Sequence, residues 1–417
     1  MKILWVKANK LLPLHSGGDI RSFHILRVLS SRHDVTFLSY YDGAQDEKYE
    51  LELSRHFPAA IPVCTGKSRV AFIPRSLDYL RRLPLAPPYA VSRFASPLVK
   101  DKIKGLLETG GFDVAVSDFL DAAVNFPDEL ETPAVLFQHN VESEIWRRHA
   151  ATEANPAKRL MYQIEFKKML RYEQTVIRKF QHVIAVSQHD RELMQSWIAG
   201  TRITVVPTGV DVKQYRPGSD DRDPGPVVMF IGAMDWEPNI DAVEFFCTEM
   251  WDAILARSPD ARFCIVGRNP DRRVQRLASG SIEITGRVSS VVDYLRKAAV
   301  VIVPLRIGGG TRLKIYEAMA AGKAVVSTNV GAEGLDVSPG ADILLADDPG
   351  NFADAVVSLL KDRELRRRYE RAASETAGKY DWPIIAAKFG DVLASVAGNV
   401  AQPTSRSQRN SVLSPHE

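Results

Sequence analysis

The stretch AAVVIVPLRIGGGTRLKIYEAMAAGKAVVSTN, residues 298–329, has the pattern of one strand–loop–helix–strand unit. It begins with an unbroken apolar run at 298–305, whose length and β-branched residues are typical of a strand buried on both faces. After a glycine-rich loop, Thr311 is a favourable N-cap for a helix over 312–321, which stops at a glycine. A second apolar run at 324–327 closes the unit. Strands that alternate with helices in this way predict a parallel α/β sheet.

The loop of this unit has the composition of an anion site. Gly308, Gly309 and Gly310 allow the backbone to approach a ligand closely, and the free N–H groups at a helix start favour phosphate. Arg312 and Lys314 place two cations in the first helical turn, where the helix dipole disfavours them and a bound anion would compensate. The chemistry therefore predicts a phosphate-binding loop. A glycine-rich turn beside a solvated basic helix end is the alternative interpretation.

Glu317 follows Lys314 by one helical turn and lies on a neighbouring part of the same helix surface. Its carboxylate is therefore behind the predicted phosphate loop, where it could accept hydrogen bonds from sugar hydroxyls. The alternative is an exposed ion pair with Lys314 that binds no ligand.

The composition describes a globular protein with more than one domain. The chain has 417 residues, is 45% hydrophobic and 25% charged, and has a formal net charge of +3, which excludes a disordered chain. No apolar run approaches the ~20 residues that a membrane span needs, and the short apolar N-terminus predicts a first strand rather than a signal peptide. Three cysteines without metal-binding spacing predict buried thiols in a reducing compartment, so we expect a cytoplasmic protein without a metal.

The first half of the chain begins with a strand–helix–strand pattern over 2–40, which predicts a parallel sheet with right-handed crossovers. The loop SGGDIRS, with Gly17, Gly18 and Arg21, follows the first strand. It lacks the G-x-G-x-x-G dinucleotide fingerprint. Its position nevertheless puts it at the carboxyl edge of the sheet, where open α/β sheets bind ligands.

A later strand, predicted over 134–139, ends in the sequence QHNVESEIW. His139 and Asn140 are therefore expected at the same carboxyl edge. A histidine there could orient a hydroxyl group or act as a base near neutral pH. The alternative is that His139 and Asn140 only cap the helix that follows.

The segment 67–104 is basic, with nine lysine and arginine residues against Asp78 and Asp101, and it contains interleaved apolar residues and prolines. It is either a solvated basic face or a surface that meets an anionic membrane or an anionic acceptor. No nucleic-acid-binding motif accompanies the charge, so we expect no nucleic-acid partner.

A segment rich in Pro, Gly and Asp at 213–226 separates two alternating series of strands and helices. We therefore predict an N-terminal domain over 1–212, a C-terminal domain over 213–379, a last helix over 380–397, and a disordered tail over 398–417. The sequence before that tail contains no long repeat or low-complexity tract.

The motifs of the second half resemble those of retaining glycosyltransferase family 4, which has the GT-B fold. They are VVPTGVDVKQYRP (205–217), FIGAMDWEPN (230–239), GGGTRLKIYEAMAAGKAVVST (308–328) and GAEGL (331–335). The first half resembles the family more loosely, through MKILWV, GGDIRS, HNVE and AVSQHD. The run SGGDIRSFHILRVLSSRHDV is similar to sugar transferases of bacterial exopolysaccharide gene clusters.

This resemblance implies two Rossmann-like, doubly wound domains that face a central cleft, with the last helix crossing back to the first domain. It implies that the C-terminal domain binds a nucleotide-sugar donor and the N-terminal domain a sugar or a lipid-linked saccharide acceptor. The implied reaction moves a sugar from a nucleoside-diphosphate sugar to an acceptor hydroxyl, with retention, in cell-surface polysaccharide or glycoconjugate synthesis. If the basic segment 67–104 meets anionic lipid, we expect peripheral contact with the inner face of the plasma membrane. We expect neither a cofactor nor a metal.

The resemblance also implies roles for single residues. Family members have two glutamates eight positions apart in the opening stretch. Glu317 matches the second, which resembles the one that holds the ribose, whereas Gly309 stands at the first. FIGAMDWEPN lacks the basic residue that the family usually has after the first strand of this domain, so Arg312 and Lys314 are expected to neutralise the diphosphate, and Arg306 is a further candidate cation.

The complete set of predicted site residues follows from these assignments. The catalytic residues are His139, Arg312 and Lys314. The donor-binding residues are Gly232, Arg268, Arg287, Gly308, Gly309, Gly310, Thr311 and Glu317. The acceptor-side residues are Gly17, Gly18, Arg21 and Asn140.

Two other functions fit the same motifs. A sugar-nucleotide epimerase on this fold would change the donor without an acceptor. A non-catalytic nucleotide-sugar-binding protein would bind the donor and release no nucleoside diphosphate, and the missing glutamate at Gly309 motivates this alternative.

Overall fold

The computed structural model describes residues 1–14, 16–66, 79, 87–198, 200–216, 225–307 and 313–398. Within them, the first sheet has seven strands: β1 (Lys2–Ala8), β2 (Asp34–Tyr41), β3 (Ala60–Cys64), β4 (Val114–Asp118), β5 (Ala134–Phe137), β6 (His182–Ala185) and β7 (Ile203–Val205). All are parallel, in the order β3-β2-β1-β4-β5-β6-β7. The strand order reverses between β1 and β4, and open α/β sheets generally bind ligands beside the carboxyl ends of strands at such a reversal.

Helices cover both faces of this sheet. Side chains of β1 alternate between two apolar cores, with Ile3 and Trp5 in one and Leu4 and Val6 in the other. The described helices of this half are α1 (Gly17–Ser30), α2 (Glu47–His56), α3 (Tyr89–Ser92), α4 (Pro97–Thr109), α5 (Leu120–Ala123), α6 (Glu142–Thr152), α7 (Pro156–Lys179) and α8 (Gln188–Trp197).

A short helix, α9 (Val212–Tyr215), leads to the second sheet. Its described strands are β8 (Val227–Ile231), β9 (Arg262–Val266), β10 (Ile282–Gly286), β11 (Val300–Val303), β12 (Ala324–Ser327) and β13 (Leu344–Leu345). They are parallel, in the order β10-β9-β8-β11-β12-β13, so the order reverses between β8 and β11. The helices are α10 (Glu237–Glu249), α11 (Trp251–Arg257), α12 (Arg272–Gln275), α13 (Val291–Lys297), α14 (Leu313–Ala320), α15 (Pro349–Lys361), α16 (Arg363–Gly378) and α17 (Trp382–Gly398).

The central strands of the second sheet are as apolar and as buried as the sequence predicts. Every residue of β11 and the first three of β12 are at most 1% exposed. Two doubly wound parallel sheets therefore confirm the predicted fold class.

The last helix, α17, belongs spatially to the first sheet and packs along α1. Its first residue, Trp382, is 2% exposed, and its ring stacks on His24 at 4.9 Å between centroids. A Cβ at Gly209 would lie 2.5 Å from the Trp382 ring, so the chain between the sheets needs a glycine here. Farther along α17, Phe389 packs against Trp5 of β1 at 5.3 Å. The predicted domain limits at residues 212, 379 and 397 stay predictions.

Several element bounds differ from the prediction. The helix expected over 242–255 begins at Glu237, because Pro238 fits the first turn of a helix, and it is interrupted at Met250. The strand expected over 134–139 ends at Phe137, so His139 lies in the loop after it. The expectation of three buried cysteines is wrong, because only Cys264 is buried and the other two are partly exposed.

Two predicted segments fall largely outside the described residues. Of the basic segment 67–104, residues 67–78 and 80–86 are not described, and of the tail 398–417 only Gly398 is described. None of the described helices is both long enough and apolar enough to cross a membrane.

Candidate functional site

A network of buried charges occupies the carboxyl edge of the first sheet. Lys7, the second-to-last residue of β1, places its Nζ 3.4 Å from Asp19 Oδ1 and 3.8 Å from Asp118 Oδ2. Trp5 Nε1 donates to the same Asp118 oxygen at 3.0 Å. Burial opposes ionisation of Asp118, but the charge of Lys7 and the hydrogen bond from His139 hold the pKa of its carboxyl below the usual range. Asp118 is therefore an ionised anchor for its neighbours.

His139 is oriented by this anchor. Its Nε2 lies 2.6 Å from Asp118 Oδ1, and its Nδ1 lies 2.8 Å from Arg21 Nη1. Because a guanidinium can only donate, Nδ1 is the acceptor and Nε2 carries the proton. Burial lowers the pKa of His139 to about 4, although Asp118 opposes this shift. The imidazole is thus neutral near pH 7, and a role as base would require Nδ1 to give up Arg21. The geometry favours orientation over proton transfer, and the predicted catalytic role stays a prediction.

The first turn of α1 lies between this network and the second domain. Ser16 caps the helix through its Oγ, which accepts from the Asp19 N–H at 3.1 Å. A Cβ at Gly18 would lie 3.8 Å from His139 Cδ2, whereas one at Gly17 would lie 3.2 Å from Leu313 Cδ1. Leu313 begins α14 of the second sheet. The predicted acceptor-side loop therefore packs against the described start of α14 in the second domain.

Asn140 completes the acceptor-side set. It follows His139 and hydrogen-bonds the Glu142 carboxylate. Its Oδ1 is buried and accepts no hydrogen bond from the part of the chain that the structure describes. The structure therefore brings together all four predicted acceptor-side residues and His139 at one edge of the first sheet.

Lys314 lies at the corresponding edge of the second sheet. Its Nζ donates to Asn239 Oδ1 at 2.7 Å and lies 4.3 Å from the centroid of the Phe230 ring. A Cβ at Gly232, the residue directly after β8, would lie 3.0 Å from Nζ. The ammonium is therefore at the point where the strand order of this sheet reverses, which is where such sheets bind ligands.

Glu317 lies one turn further along α14 and faces a cavity of about 160 Å³ between the domains. The hydroxyl of Tyr215 hydrogen-bonds its carboxylate, and burial raises the pKa of Glu317 above the ordinary value in spite of Tyr215 and Lys314. His24 and Trp382 also line this cavity. Glu317 is thus within the cleft rather than on an exposed helix surface.

A second contact crosses the cleft on its other side. Arg148 of α6 donates two hydrogen bonds to the Glu333 carboxylate, at 3.1 and 3.0 Å, and its Nε donates to Glu144 at 3.0 Å. A Cβ at Gly334 would lie 3.2 Å from Ser187 Cβ of the first domain. The motif GAEGL thereby holds the two domains together. Sequence reasoning singled out that motif but assigned no role to Arg148 or Glu333.

The other predicted donor-site residues are exposed, already paired with protein groups, or outside the described part of the chain. Arg287 is exposed after the edge strand β10. The backbone oxygen of Arg268 accepts from Met234 at 2.9 Å. Arg306 donates to Asp241, with Nε 3.1 Å from Oδ2, so a carboxylate already pairs its charge. Gly308, Gly309, Gly310, Thr311 and Arg312 lie outside the described residues. In the described part of the chain, no three His, Cys, Asp or Glu side chains are grouped to hold a metal ion.

Both halves of the chain match known protein families. Residues 16–214 match the family described as Glycosyltransferase Family 4, and residues 225–362 match the family described as Glycosyl transferases group 1. A phosphatidyl-myo-inositol mannosyltransferase of Mycolicibacterium smegmatis is 30% identical over 225 residues, which are 52% of this chain and 57% of the relative. A D-inositol 3-phosphate glycosyltransferase of Nocardia farcinica is 31% identical over 242 residues, 50% of this chain and 51% of the relative. The matches span about half the length of each relative.

Solved structures resemble the chain over nearly its whole length. Sucrose-phosphate synthase from Thermosynechococcus elongatus has a TM-score of 0.68 at 16% identity, covering 95% of this chain and 99% of its own. Anabaena HepE in complex with UDP has a TM-score of 0.65 at 15% identity, covering 95% and 100%. At these identities the likeness concerns the fold.

Proposed function

We propose that this chain moves a sugar from a nucleoside-diphosphate sugar to an acceptor hydroxyl with retention of configuration. The chain has the GT-B fold, with a glycosyltransferase family 4 domain followed by a glycosyl transferases group 1 domain. The observation that carries the proposal is the position of Lys314. Its ammonium lies at the strand-order reversal of the second sheet, and its helix begins at Leu313, which contacts Gly17 of the first domain. A cation there would lie between a donor bound to one domain and an acceptor bound to the other.

The chemical need of this reaction is to stabilise a leaving diphosphate as the glycosidic bond breaks. A fixed cation aimed at the developing charge lowers that barrier, because it costs no reorganisation at the moment of reaction. Lys314 supplies such a charge, and the start of α14 adds the positive end of a helix dipole. Arg312 is the second proposed cation.

Glu317 is the proposed ribose ligand. It is in the second turn of α14, so its carboxylate lies a few ångströms behind the start of the helix, since a helix rises about 1.5 Å per residue. It faces the cavity between the domains. Tyr215 donates to the same carboxylate and would therefore border the nucleoside.

The acceptor is proposed to bind at the edge of the first sheet. Arg21, His139 and Asn140 are polar groups on that edge, and Gly18 lies directly beside His139, since a Cβ there would be 3.8 Å from the imidazole ring. The acceptor class proposed is a sugar or a lipid-linked saccharide, in cell-surface polysaccharide or glycoconjugate synthesis. The names of the relatives, which are transferases that act on inositol-containing molecules, support a hydroxyl-rich acceptor.

We also propose that the protein works at the inner face of the plasma membrane, through its basic segment 67–104. The described end of that segment supports this. Helix α4 has three exposed lysines, Lys100, Lys102 and Lys104, beside Leu98, whose side chain is 54% exposed. Exposed apolar residues among cations are typical of surfaces that meet anionic lipid.

A thermal-shift panel of nucleotides and nucleotide sugars tests the donor part of the proposal. A ligand at 100 times its dissociation constant should stabilise the protein by about 2.7 kcal/mol. Lys314→Met should reduce the shift given by nucleoside diphosphates and leave the shift given by nucleosides unchanged. If no nucleoside diphosphate or nucleotide sugar raises the melting temperature of the wild type, the proposal is wrong.

A further inference from the structure

We infer that Asn239 is a positioning residue that fixes the ammonium of Lys314 at the donor-phosphate site, with Phe230 as its second support. The inference rests on the proposed function, because it takes the diphosphate of a nucleotide sugar as the ligand of Lys314. Asn239 is not among the predicted site residues. It comes from the motif FIGAMDWEPN, which lacks the basic residue that the family usually has there.

Three elements converge on the ammonium. Lys314 is on α14, Asn239 on α10 and Phe230 on β8. The Nζ–Oδ1 distance of 2.7 Å is that of a strong hydrogen bond, and the ring of Phe230 lies 4.3 Å from Nζ, within the range of a cation–π contact. Lysine has a long, flexible side chain, so these two contacts restrict where its charge can be.

The amide of Asn239 is itself held in one orientation. The residue is 3% exposed, and its Nδ2 donates to the Ala233 carbonyl at 2.9 Å. Because an amide nitrogen donates and cannot accept, the assigned orientation leaves Oδ1 to face Lys314. The Ala233 carbonyl belongs to the loop directly after β8. Through Asn239, this loop therefore fixes the position of the ammonium relative to the edge of the sheet.

Gly232 shows how closely this pair approaches the strand end. A Cβ there would lie 2.6 Å from Asn239 Nδ2 and 3.0 Å from Lys314 Nζ. The absence of a side chain is therefore required for the amide to reach the backbone of this loop. This gives the predicted donor-site residue Gly232 a physical reason to be glycine.

The Asn239 amide that orients Lys314 is neutral, whereas Arg306 at the same edge donates to the carboxylate of Asp241. An amide oxygen orients an ammonium without neutralising it. The Asn239–Lys314 pair thus suits a group that must present positive charge to an anion.

Variants at Asn239 test the inference by calorimetric titration with UDP, GDP and ADP, using whichever binds the wild type most tightly. Asn239→Leu should weaken diphosphate binding roughly tenfold, and Lys314→Met roughly tenfold to hundredfold, the range of a lost charge-assisted hydrogen bond. The double variant should bind no more weakly than Lys314→Met alone. Asn351→Leu, at an exposed asparagine of α15, is the matched control and should bind as the wild type does.

Asn239→Asp separates positioning from a merely structural role. A carboxylate keeps the shape and would hold Lys314 more strongly, but it loses the hydrogen bond to the Ala233 carbonyl. A merely structural contact therefore predicts a lower melting temperature with normal diphosphate binding by the folded protein. The inference predicts a loss of diphosphate affinity larger than that of Asn239→Leu, because the aspartate neutralises the ammonium.

The inference and the proposed function fail in different ways. If the wild type binds no nucleoside diphosphate, both are overturned. If it binds one and Lys314→Met weakens binding, but Asn239→Leu and Asn239→Asp bind normally, only the positioning role is overturned. If the effects of Asn239→Leu and Lys314→Met add in full, the two residues act separately and the inference is also wrong.

Discussion

Replacing Arg148 should loosen the contact between the two domains without unfolding either. Arg148 is on α6 of the first domain and binds both oxygens of Glu333 in the second domain. In Arg148→Met, the apolar part of the side chain is kept and the two hydrogen bonds across the cleft are lost. Closure of a cleft sequesters the reaction from water and completes the site, so this contact bears on activity as well as on shape.

The size of the effect follows from exposure and geometry. The side chains of Arg148 and Glu333 are 35% and 33% exposed. Exposed ion pairs contribute about 0.2–1 kcal/mol, and breaking a buried pair costs about 3–5 kcal/mol. A half-exposed pair with bidentate geometry should therefore contribute roughly 1–2 kcal/mol to the closed state. Since about 1.4 kcal/mol is a factor of ten, the ratio of closed to open molecules should fall roughly tenfold.

Hydrogen exchange at the cleft measures that ratio. Peptides that cover 331–335 and 187–190 lie on the two sides of the contact, so their exchange should accelerate roughly tenfold in Arg148→Met. Arg147→Met is the matched control. Its side chain is 56% exposed, and its guanidinium pairs only with Glu144 of the same helix in the described structure. Equal acceleration in both variants, or none in Arg148→Met, would refute the interdomain role.

Four further predictions concern single features. Glu317→Gln should weaken binding of the donor and of the bare nucleoside diphosphate equally, by roughly tenfold in calorimetry; unchanged affinities would remove the ribose role. Trp382→Ala should lower the free energy of unfolding in urea by about 3–5 kcal/mol, because the buried ring packs against Gly209 and stacks on His24. A loss below about 1 kcal/mol would show that α17 is weakly anchored. The wild type should lose stability as pH falls from about 6.5 to about 4, because His139 binds a proton in the unfolded chain but stays neutral in the folded one. In urea titrations at several pH values, His139→Gln should reduce this dependence of stability on pH. An unchanged dependence would contradict the buried neutral imidazole. Replacing the three lysines of α4 by glutamate should reduce sedimentation with anionic vesicles, and salt should do the same for the wild type; equal sedimentation of both proteins would remove this face from membrane contact.

The parts of the fold that the sequence predicted are those with local signals. Strands β11 and β12 are continuous apolar runs, which only a strand buried on both faces explains well. The placement of His139 and Lys314 near the carboxyl edges of their sheets followed from counting strands, because the carboxyl ends of parallel strands share an edge. Helix α16 was not predicted, since its sequence RELRRRYERAASETAG is strongly polar and shows few apolar positions.

The contacts that define the site could not be predicted, because they join distant parts of the chain. Asn239 and Lys314 are 75 residues apart, and their contact depends on how α10 and α14 pack at the end of β8. Arg148 and Glu333 are 185 residues apart and meet only because the domains face each other. The hydrogen-bond partners of His139 are also distant in sequence, since Arg21 and Asp118 come from other elements at the edge of the sheet. No local pattern records such packing.

The most direct measurement is acceptor-dependent release of nucleoside diphosphate from a panel of nucleotide sugars, made with the wild type and with Lys314→Met. Sugar and lipid-linked saccharide acceptors are supplied, and the donor is analysed alongside the product. If Lys314 stabilises the leaving diphosphate during sugar transfer, nucleoside diphosphate should be released only when an acceptor is present. The rate of release should fall roughly tenfold to hundredfold in Lys314→Met, since the lost contact is charge-assisted. A donor that binds but releases no diphosphate with any acceptor, or a donor sugar that is altered without an acceptor, would contradict sugar transfer as the function of this protein.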